Sequence, residues 1–464
     1  MKRFLIVFGA LCLLVLSVTG IVLVVRYQRE VAAERKFVAA GPASLAREEA
    51  AARREGIPLT AQELQQPLPP VGQNAAPLYT KLTKLLHDKP LGLPKYAEGM
   101  DAFHSYTPAQ IAAVRQILAA RQDVMILVHQ AADKPQCVFV RDWSQSVKLN
   151  FPEYSPMREA ARLIKTESYL LARDEHYKEA AADQARGFRI AEHAASDHLL
   201  IAYLVGTASD SLTLSGMQSI LALAGPDVSV DADVQQAVMA RQPHLSLRKA
   251  MAGEAGFDCT VFQTMHRAEN NGIDAVVAAS GFSESEAHQV RISSGEQKHL
   301  HNLIDAWQAE YLVRMQPLIM ASDQPPLVRR AVYAASASQA EQDNSRPDVL
   351  TYLFADSLVP AFSKIDLNEI RTRARVAVTL AAAAVLAEKA KTGRFPNALP
   401  PQFVDPFTDK PLLYKREAAD GFIVYSAGPT GTFDGGKPGE KVPGQESVFR
   451  YPAVPVPIPA DMLK

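Results

Sequence analysis

The hydrophobic pattern begins with one long apolar run. After Lys2 and Arg3, no charged residue occurs from Phe4 to Val25. A helix rises about 1.5 Å per residue, so this run spans roughly 30 Å, the thickness of a bilayer core. A cleaved signal peptide has a shorter apolar region and a small-residue cleavage site after it. We therefore predict an uncleaved signal anchor over residues 1–26.

The charges around this run do not decide its orientation, because basic residues lie on both sides of it. The short head before the run is typical of an anchor with its N-terminus inside. The expected location is therefore the inner (cytoplasmic) membrane, in a single pass, with the body in the periplasm or at the cell exterior. Residues 27–73 predict a juxtamembrane helix, interrupted at Gly41-Pro42, and a Pro-rich linker from Pro58 to Gly72.

Apolar positions recurring at helical spacing predict a mainly helical body over residues 74–364. Its helix signals are local: Thr107-Pro108 and Ser155-Pro156 each pair an N-cap residue with Pro at the first helical position, and Gly225-Pro226 ends a long apolar helix. Short turns between such helices give an antiparallel bundle of α-hairpins. The expected core residues are Leu163, Ile164, Phe188, Tyr203 and Leu204.

The pattern changes near residue 365. We predict separate helices over Asp348–Phe362 and Leu367–Lys391, the second ending at Gly393, followed by strands near 412–415, 422–425 and 448–451. Two strands alone are barely stable in water, so the antiparallel sheet should pack on the second helix. We expect its Ile423/Tyr425 face to meet that helix. The result is a small α+β module over residues 365–451 with a Pro-rich tail over 452–464.

The module carries an ordered set of turn motifs: Gly393, Phe395 and Pro396; Asp405, Pro406 and Phe407; Pro411 and Tyr414; Tyr425, Ser426 and Gly428; Gly431, Asp434, Gly435 and Gly436. This order resembles the helix-plus-sheet region of type II secretion major pseudopilins. The leader and cleavage site of that family do not occur in MKRFLIVFGALC, so filament assembly is not expected. With Asn74–Tyr79 early in the chain, the whole sequence resembles uncharacterised bacterial envelope proteins.

Composition narrows the class of protein. Among 464 residues, Lys plus Arg is 49 and Asp plus Glu is 50. This balance argues against a nucleic-acid partner, which needs a basic face. Apart from Cys12 in the apolar run, the cysteines are Cys137 and Cys259, and their spacing leaves open both a disulfide and two buried thiols.

Candidate chemistry is sparse. The resemblance to pseudopilins implies a calcium loop, for which Ser426 and Asp434 offer oxygen ligands, although Thr430 stands where an acidic residue would bind better. His299 and His301 are two positions apart and so point to different helix faces. No nucleophile elbow, phosphate loop or dinucleotide motif occurs. The sequence therefore assigns no catalytic, cofactor-binding or metal residue.

These observations favour a membrane-anchored extracytoplasmic scaffold or binding protein of the bacterial envelope. Its expected partners are the membrane, through the N-terminal helix, and other envelope proteins. The alternative is a periplasmic hydrolase-type enzyme with its site in the helical body, which would need a pocket of convergent polar groups.

Overall fold

The computed structural model describes residues 32–241, 245–267, 294–342, 358–417, 420–429, 431 and 447–463. These residues are mainly helical, with small sheets toward the C-terminus. The helices are α1 (32–54), α2 (Ala61–Leu64), α3 (Ala76–Asp88), α4 (Pro108–Ala120), α5 (Gln122–Ala132), α6 (Tyr154–Arg173), α7 (Tyr177–Ala194), α8 (Leu200–Ala224), α9 (Val228–Ala240), α10 (Leu247–Arg267), α11 (Ser294–Ala321), α12 (Pro326–Gln342) and α13 (Leu358–Thr392).

The strands are short. They are β1 (His104–Ser105), β2 (Val404–Asp405), β3 (Lys410–Pro411), β4 (Leu413–Glu417), β5 (Gly421–Tyr425), β6 (Val448–Tyr451) and β7 (Val456–Pro457). None of the helices in the described ranges combines the length and the apolarity needed to cross a bilayer. The predicted anchor and its run Phe4–Val25 lie outside these ranges.

The first described helix, α1, runs without interruption through Gly41-Pro42, so the break predicted there was wrong. Gly41 is buried against α11, where a Cβ atom would overlap the carbonyl oxygen of Asn302. Glycine is present because the two helix backbones approach each other closely, and not because the chain turns.

The segment Pro58–Gly72, predicted to be a linker, is packed in its first half. Leu59 is fully buried, and its carbonyl oxygen accepts a hydrogen bond of 2.8 Å from Gln263 Nε2 of α10. The second half is open to solvent, as the full exposure of Val71 shows. The predicted linker is therefore in part a short helix, α2, whose Leu64 is buried.

Helices α6, α7 and α8 form the antiparallel bundle that the sequence predicts. Close approaches pair residue 187 with 213 and residue 206 with 191, so α7 and α8 run in opposite directions. The expected core residues Leu163, Ile164, Phe188 and Tyr203 are buried as predicted, whereas Leu204 is half-buried.

Two of the three predicted helix signals hold. Thr107 caps α4 through a reciprocal capping box with Gln110, and Gly225 ends α8 with a φ of 64°. The start of α6 was misplaced, because Glu153 takes the cap position and Ser155 lies inside the first turn.

Helix α13 runs unbroken through residues 363–366, where the sequence predicted a gap between two helices; residues 348–357 of the first predicted helix lie outside the described residues. It begins at Leu358, before the expected module boundary at 365, and continues to Thr392, where Gly393 follows with a φ of 74°. Its first half places Phe362 and Ile365 in a core shared with α10 and α11. Its second half joins a different core, which contains α7, α8, α9 and the sheet. The helix therefore connects the body to the C-terminal module.

Strands β4, β5 and β6 form the predicted antiparallel sheet. Phe422 and Val424 face the core that includes α13, so the expectation for the Ile423/Tyr425 face was wrong. Phe422 contacts the ring of Phe395 at a centroid distance of 5.2 Å. Every residue of β5 is buried, so alternation along this strand carries no information about which face meets the helix.

The Pro-rich tail returns to the N-terminal part of the body. β7 pairs in parallel with β1, with His104 opposite Val456. The amide of Val456 donates to the carbonyl oxygen of Phe103 at 2.9 Å. The tail is thus a strap across the fold.

Candidate functional site

The structure separates the two histidines that the sequence singled out. His299 is exposed, whereas His301 lies against His266 of α10 with a ring-centroid distance of 5.0 Å. His266 Nε2 lies 2.9 Å from a carboxylate oxygen of Asp305, one turn along α11 from His301. Spacing along the chain could not reveal this group, because one member comes from another helix.

Cys137 and Cys259 are free thiols. Each is buried in a different hydrophobic core, and burial raises the pKa of both thiols well above its usual range. Both therefore serve as packing residues.

Of the two calcium ligands that the resemblance implies, Ser426 already has another partner. Ser426 Oγ donates to Asp405 Oδ1 at 2.9 Å, and Asp405 also accepts from the amides of Phe407 at 3.0 Å and Ala427 at 2.6 Å. Asp409 is exposed. Asp434 and Thr430 lie outside the described residues.

Asp405 therefore acts as a buried acceptor, 1% exposed, which joins the turn after β2 to the end of β5. Such a carboxylate is stable in the interior because donors surround it. Sequence reasoning missed this role. The signal in the sequence was the Asp405-Pro406-Phe407 turn ahead of the Tyr425-Ser426 strand end.

A second group, absent from the predictions, lies between three helices of the bundle. In the described part of the chain, one set of three metal-type side chains brings its ligand atoms within 4.8 Å of one another: His129 of α5, Glu167 of α6 and Asp183 of α7. His129 Nε2 lies 2.7 Å from Glu167 and 3.3 Å from Asp183. Ser168 and Arg186 also donate to Asp183, at 3.0 and 3.1 Å.

The electrostatics of this group identify it as an ion-pair network. The hydrogen bonds to Asp183 and Glu167 raise the pKa of His129 to about 9, so the imidazole is protonated at neutral pH. Its charge and that of Arg186 balance the two carboxylates. Chemically, the network offers one partly exposed proton donor, since the His129 side chain is 29% exposed.

Other buried charged side chains also form ion pairs with residues of another segment. Arg329 of α12 is 1% exposed and pairs with Asp366 and Glu369 of α13. Arg141 pairs with Asp197 at 2.8 Å and with Glu153 at 3.1 Å. Removing one member of such a pair leaves an uncompensated charge in the interior. These pairs join segments that are separated along the sequence.

An open groove lies between α3, the loop that follows it, and the first turns of α6. Its volume is about 830 Å³, and its lining includes Leu86, Leu91, Leu93, His87, Glu98 and Glu159. Arg162 bridges the last two, at 3.1 and 3.2 Å. The groove is thus a surface of half-buried leucines with a paired acidic border.

The protein was compared with known proteins at three levels. No protein-family model matched the chain, and neither did any curated protein or solved structure.

Proposed function

We propose that this chain is a single-pass, membrane-anchored extracytoplasmic protein that binds or holds other envelope proteins. One observation carries the proposal: the uncharged run Phe4–Val25 is followed, within a few residues, by a helix docked on the folded body. A run of this length is typical of a membrane span, and only six residues separate it from the docked α1.

Binding is favoured over catalysis by the character of the surfaces. The groove beside α3 is wide and open, and half-buried leucines line it, as in many sites that accept another chain. The buried carboxylates described above are paired with basic groups or with hydrogen-bond donors. We infer that they hold helices together and that partners meet the groove.

The pseudopilin-like character of the C-terminal module belongs to the same proposal. Its support is the packing of an antiparallel sheet on a long helix, with the Asp-Pro-Phe turn bonded to the Tyr-Ser strand end through Asp405 and Ser426. Because α13 belongs to both the module and the body, we infer that the module works as part of this one molecule.

The proposal can be tested in membranes that contain the full-length chain. A photo-crosslinking residue in place of Lys84, an exposed position of the groove, should give a discrete adduct with an envelope protein. The matched control replaces Lys178, an exposed position on α7, and should give none. Release of the intact chain by carbonate, or equal adducts from both positions, would contradict the proposal.

An enzyme remains the second candidate, and one observation favours it. His129 is a protonated imidazole that reaches solvent beside two carboxylates, a combination suited to general acid chemistry. A turnover detected with any substrate should then fall in His129→Gln while the fold is preserved. Unchanged turnover would place the chemistry elsewhere.

A further inference from the structure

We infer that α1 is a rigid stalk packed alongside α11, and that the end of the body carrying the start of α11 and the end of α10 faces the lipid headgroups. The inference rests on the proposed membrane anchor and adds which surface meets the bilayer. It follows from the register between three helices.

The contacts show that α1 and α11 run in the same direction. Near its middle, α1 places Gly41 against the backbone of Asn302 and Ala306. At its end, the carbonyl oxygen of Glu55 accepts a 2.9 Å hydrogen bond from Arg248, whose guanidinium also contacts Met320 near the end of α11. Moving forward along α1 therefore corresponds to moving forward along α11.

Helix α10 runs the opposite way. His266 pairs with Asp305 near the start of α11, whereas Asp258 accepts a hydrogen bond from Tyr311 further along it. The end of α10 and the start of α11 thus lie at the same end of the body. This is also the end at which α1 begins.

The burial pattern of α1 fits a docked stalk. Its covered positions are spaced by three and four residues, as in a coiled-coil seam: Val38, Gly41 and Ala52 are buried, and Leu45 and Glu48 are half-buried. Positions 32–36 are all exposed, so the seam begins after the first described turn of the helix. A helix held along such a seam cannot swing freely.

Sequence distance sets how far this end can be from the bilayer. The uncharged run ends at Val25, and α1 is already helical at residue 32. The residues between them reach at most roughly 25 Å even when fully extended. Ala321, at the opposite end of α11, lies about 35 Å from Lys298 along the helix axis.

The charge at the near end suits anionic headgroups. The contact of Gly41 with residues 302–306 brings Arg35 and Lys36 level with Lys298 and His299, and all four are exposed. The acidic residues near them in sequence are Glu34, on the same turn of α1, and Glu296, in the first turn of α11. Juxtamembrane basic side chains attract anionic lipids, so this surface is complementary to a phospholipid bilayer.

The test uses the full chain in vesicles of phosphatidylcholine and phosphatidylglycerol that contain a nickel-chelating lipid. Spin labels are placed by Lys298→Cys or Gln324→Cys in a Cys12→Ala background, because Cys137 and Cys259 are buried. Given the separation of about 35 Å, nickel should enhance relaxation roughly tenfold more at 298 than at 324.

A matched pair of variants tests the docking of α1. Gly41→Leu should reduce this contrast severalfold, because the side chain collides with α11, whereas Ala40→Leu on the exposed side should leave it intact. Circular dichroism checks that both variants fold. Equal or inverted enhancement in carbonate-resistant protein would overturn the orientation alone; release by carbonate would overturn the proposed anchor and this inference with it.

Discussion

Replacing Asp405 with Ala tests how the C-terminal module is held together. The substitution removes a carboxylate that accepts three hydrogen bonds, from Ser426, from the amide of Phe407 and from the amide of Ala427. Ser426 and Phe407 are buried, whereas Ala427 is half-buried and can find water. The variant therefore leaves about two donors without an acceptor.

The expected cost follows from these donors. A buried donor that loses its partner costs about 1–3 kcal/mol, so Asp405→Ala should destabilise the module by about 3 kcal/mol. Asp405→Asn should cost about half of that, because its amide oxygen keeps one acceptor position while its NH₂ group meets the Ala427 amide. Asp409→Asn is the matched control at an exposed position with a φ of 54°, a conformation that Asn adopts as readily as Asp, and should change stability by less than about 0.5 kcal/mol.

Hydrogen exchange on the full-length protein is the suitable assay, because it reads the module without requiring global two-state unfolding. A loss of about 3 kcal/mol corresponds to roughly hundredfold faster exchange through local opening. The amides of strand β5 should show this change in Asp405→Ala and not in Asp409→Asn. Equal exchange in the two variants would refute the reasoning.

Three further predictions concern the helical body. Leu163 is fully buried, so Leu163→Ala should lower the free energy of unfolding by about 2–5 kcal/mol in denaturant titrations; a loss below about 1 kcal/mol would contradict the packed bundle. The pKa of His129 is about 9 in the folded protein and 6.5 in the unfolded chain. Protonated His129 therefore adds about 1–2 kcal/mol to the free energy of unfolding, after allowing for its exposure. This stabilisation is complete below pH 6.5 and is lost as the pH rises to 9. His129→Gln should flatten that slope in urea titrations, and an unchanged slope would exclude this origin. Burial, with the neighbouring charge of Asp227, raises the pKa of Asp231 from 3.8 to about 8, so the acid destabilises the fold increasingly as the pH rises through that interval. Asp231→Leu should therefore gain about 1–3 kcal/mol at pH 8 and little at pH 4; equal gains at both would show that ionisation is not the cause.

Helix ends were predictable where the signal is local. Thr107-Pro108 and the glycines at 225 and 393 act within a few residues, through capping bonds and positive φ angles. The three strands of the C-terminal sheet were also predictable, because Pro and Gly bracket them.

The errors arose where distant residues decide the outcome. Asp366 is a polar residue in the gap that was predicted between two helices. It lies instead on a buried face of one continuous helix, because Arg329 of α12 pairs with it. The roles of Asp405 and of His129 likewise depend on partners from other elements. Periodicity reports which face is apolar, and cannot report a buried charge whose counterion is elsewhere in the chain.

The pairing of β7 with β1 has a consequence for how the chain acquires its structure. His104 can meet Val456 only when the chain has been made as far as residue 456, so this contact closes a very long loop. Contacts of such high sequence separation form late and slow the overall rate. During synthesis, β1 therefore stays unpaired until nearly the whole chain has left the ribosome. The longest-lived species before completion should be one in which the body is formed and this last strand is still unpaired.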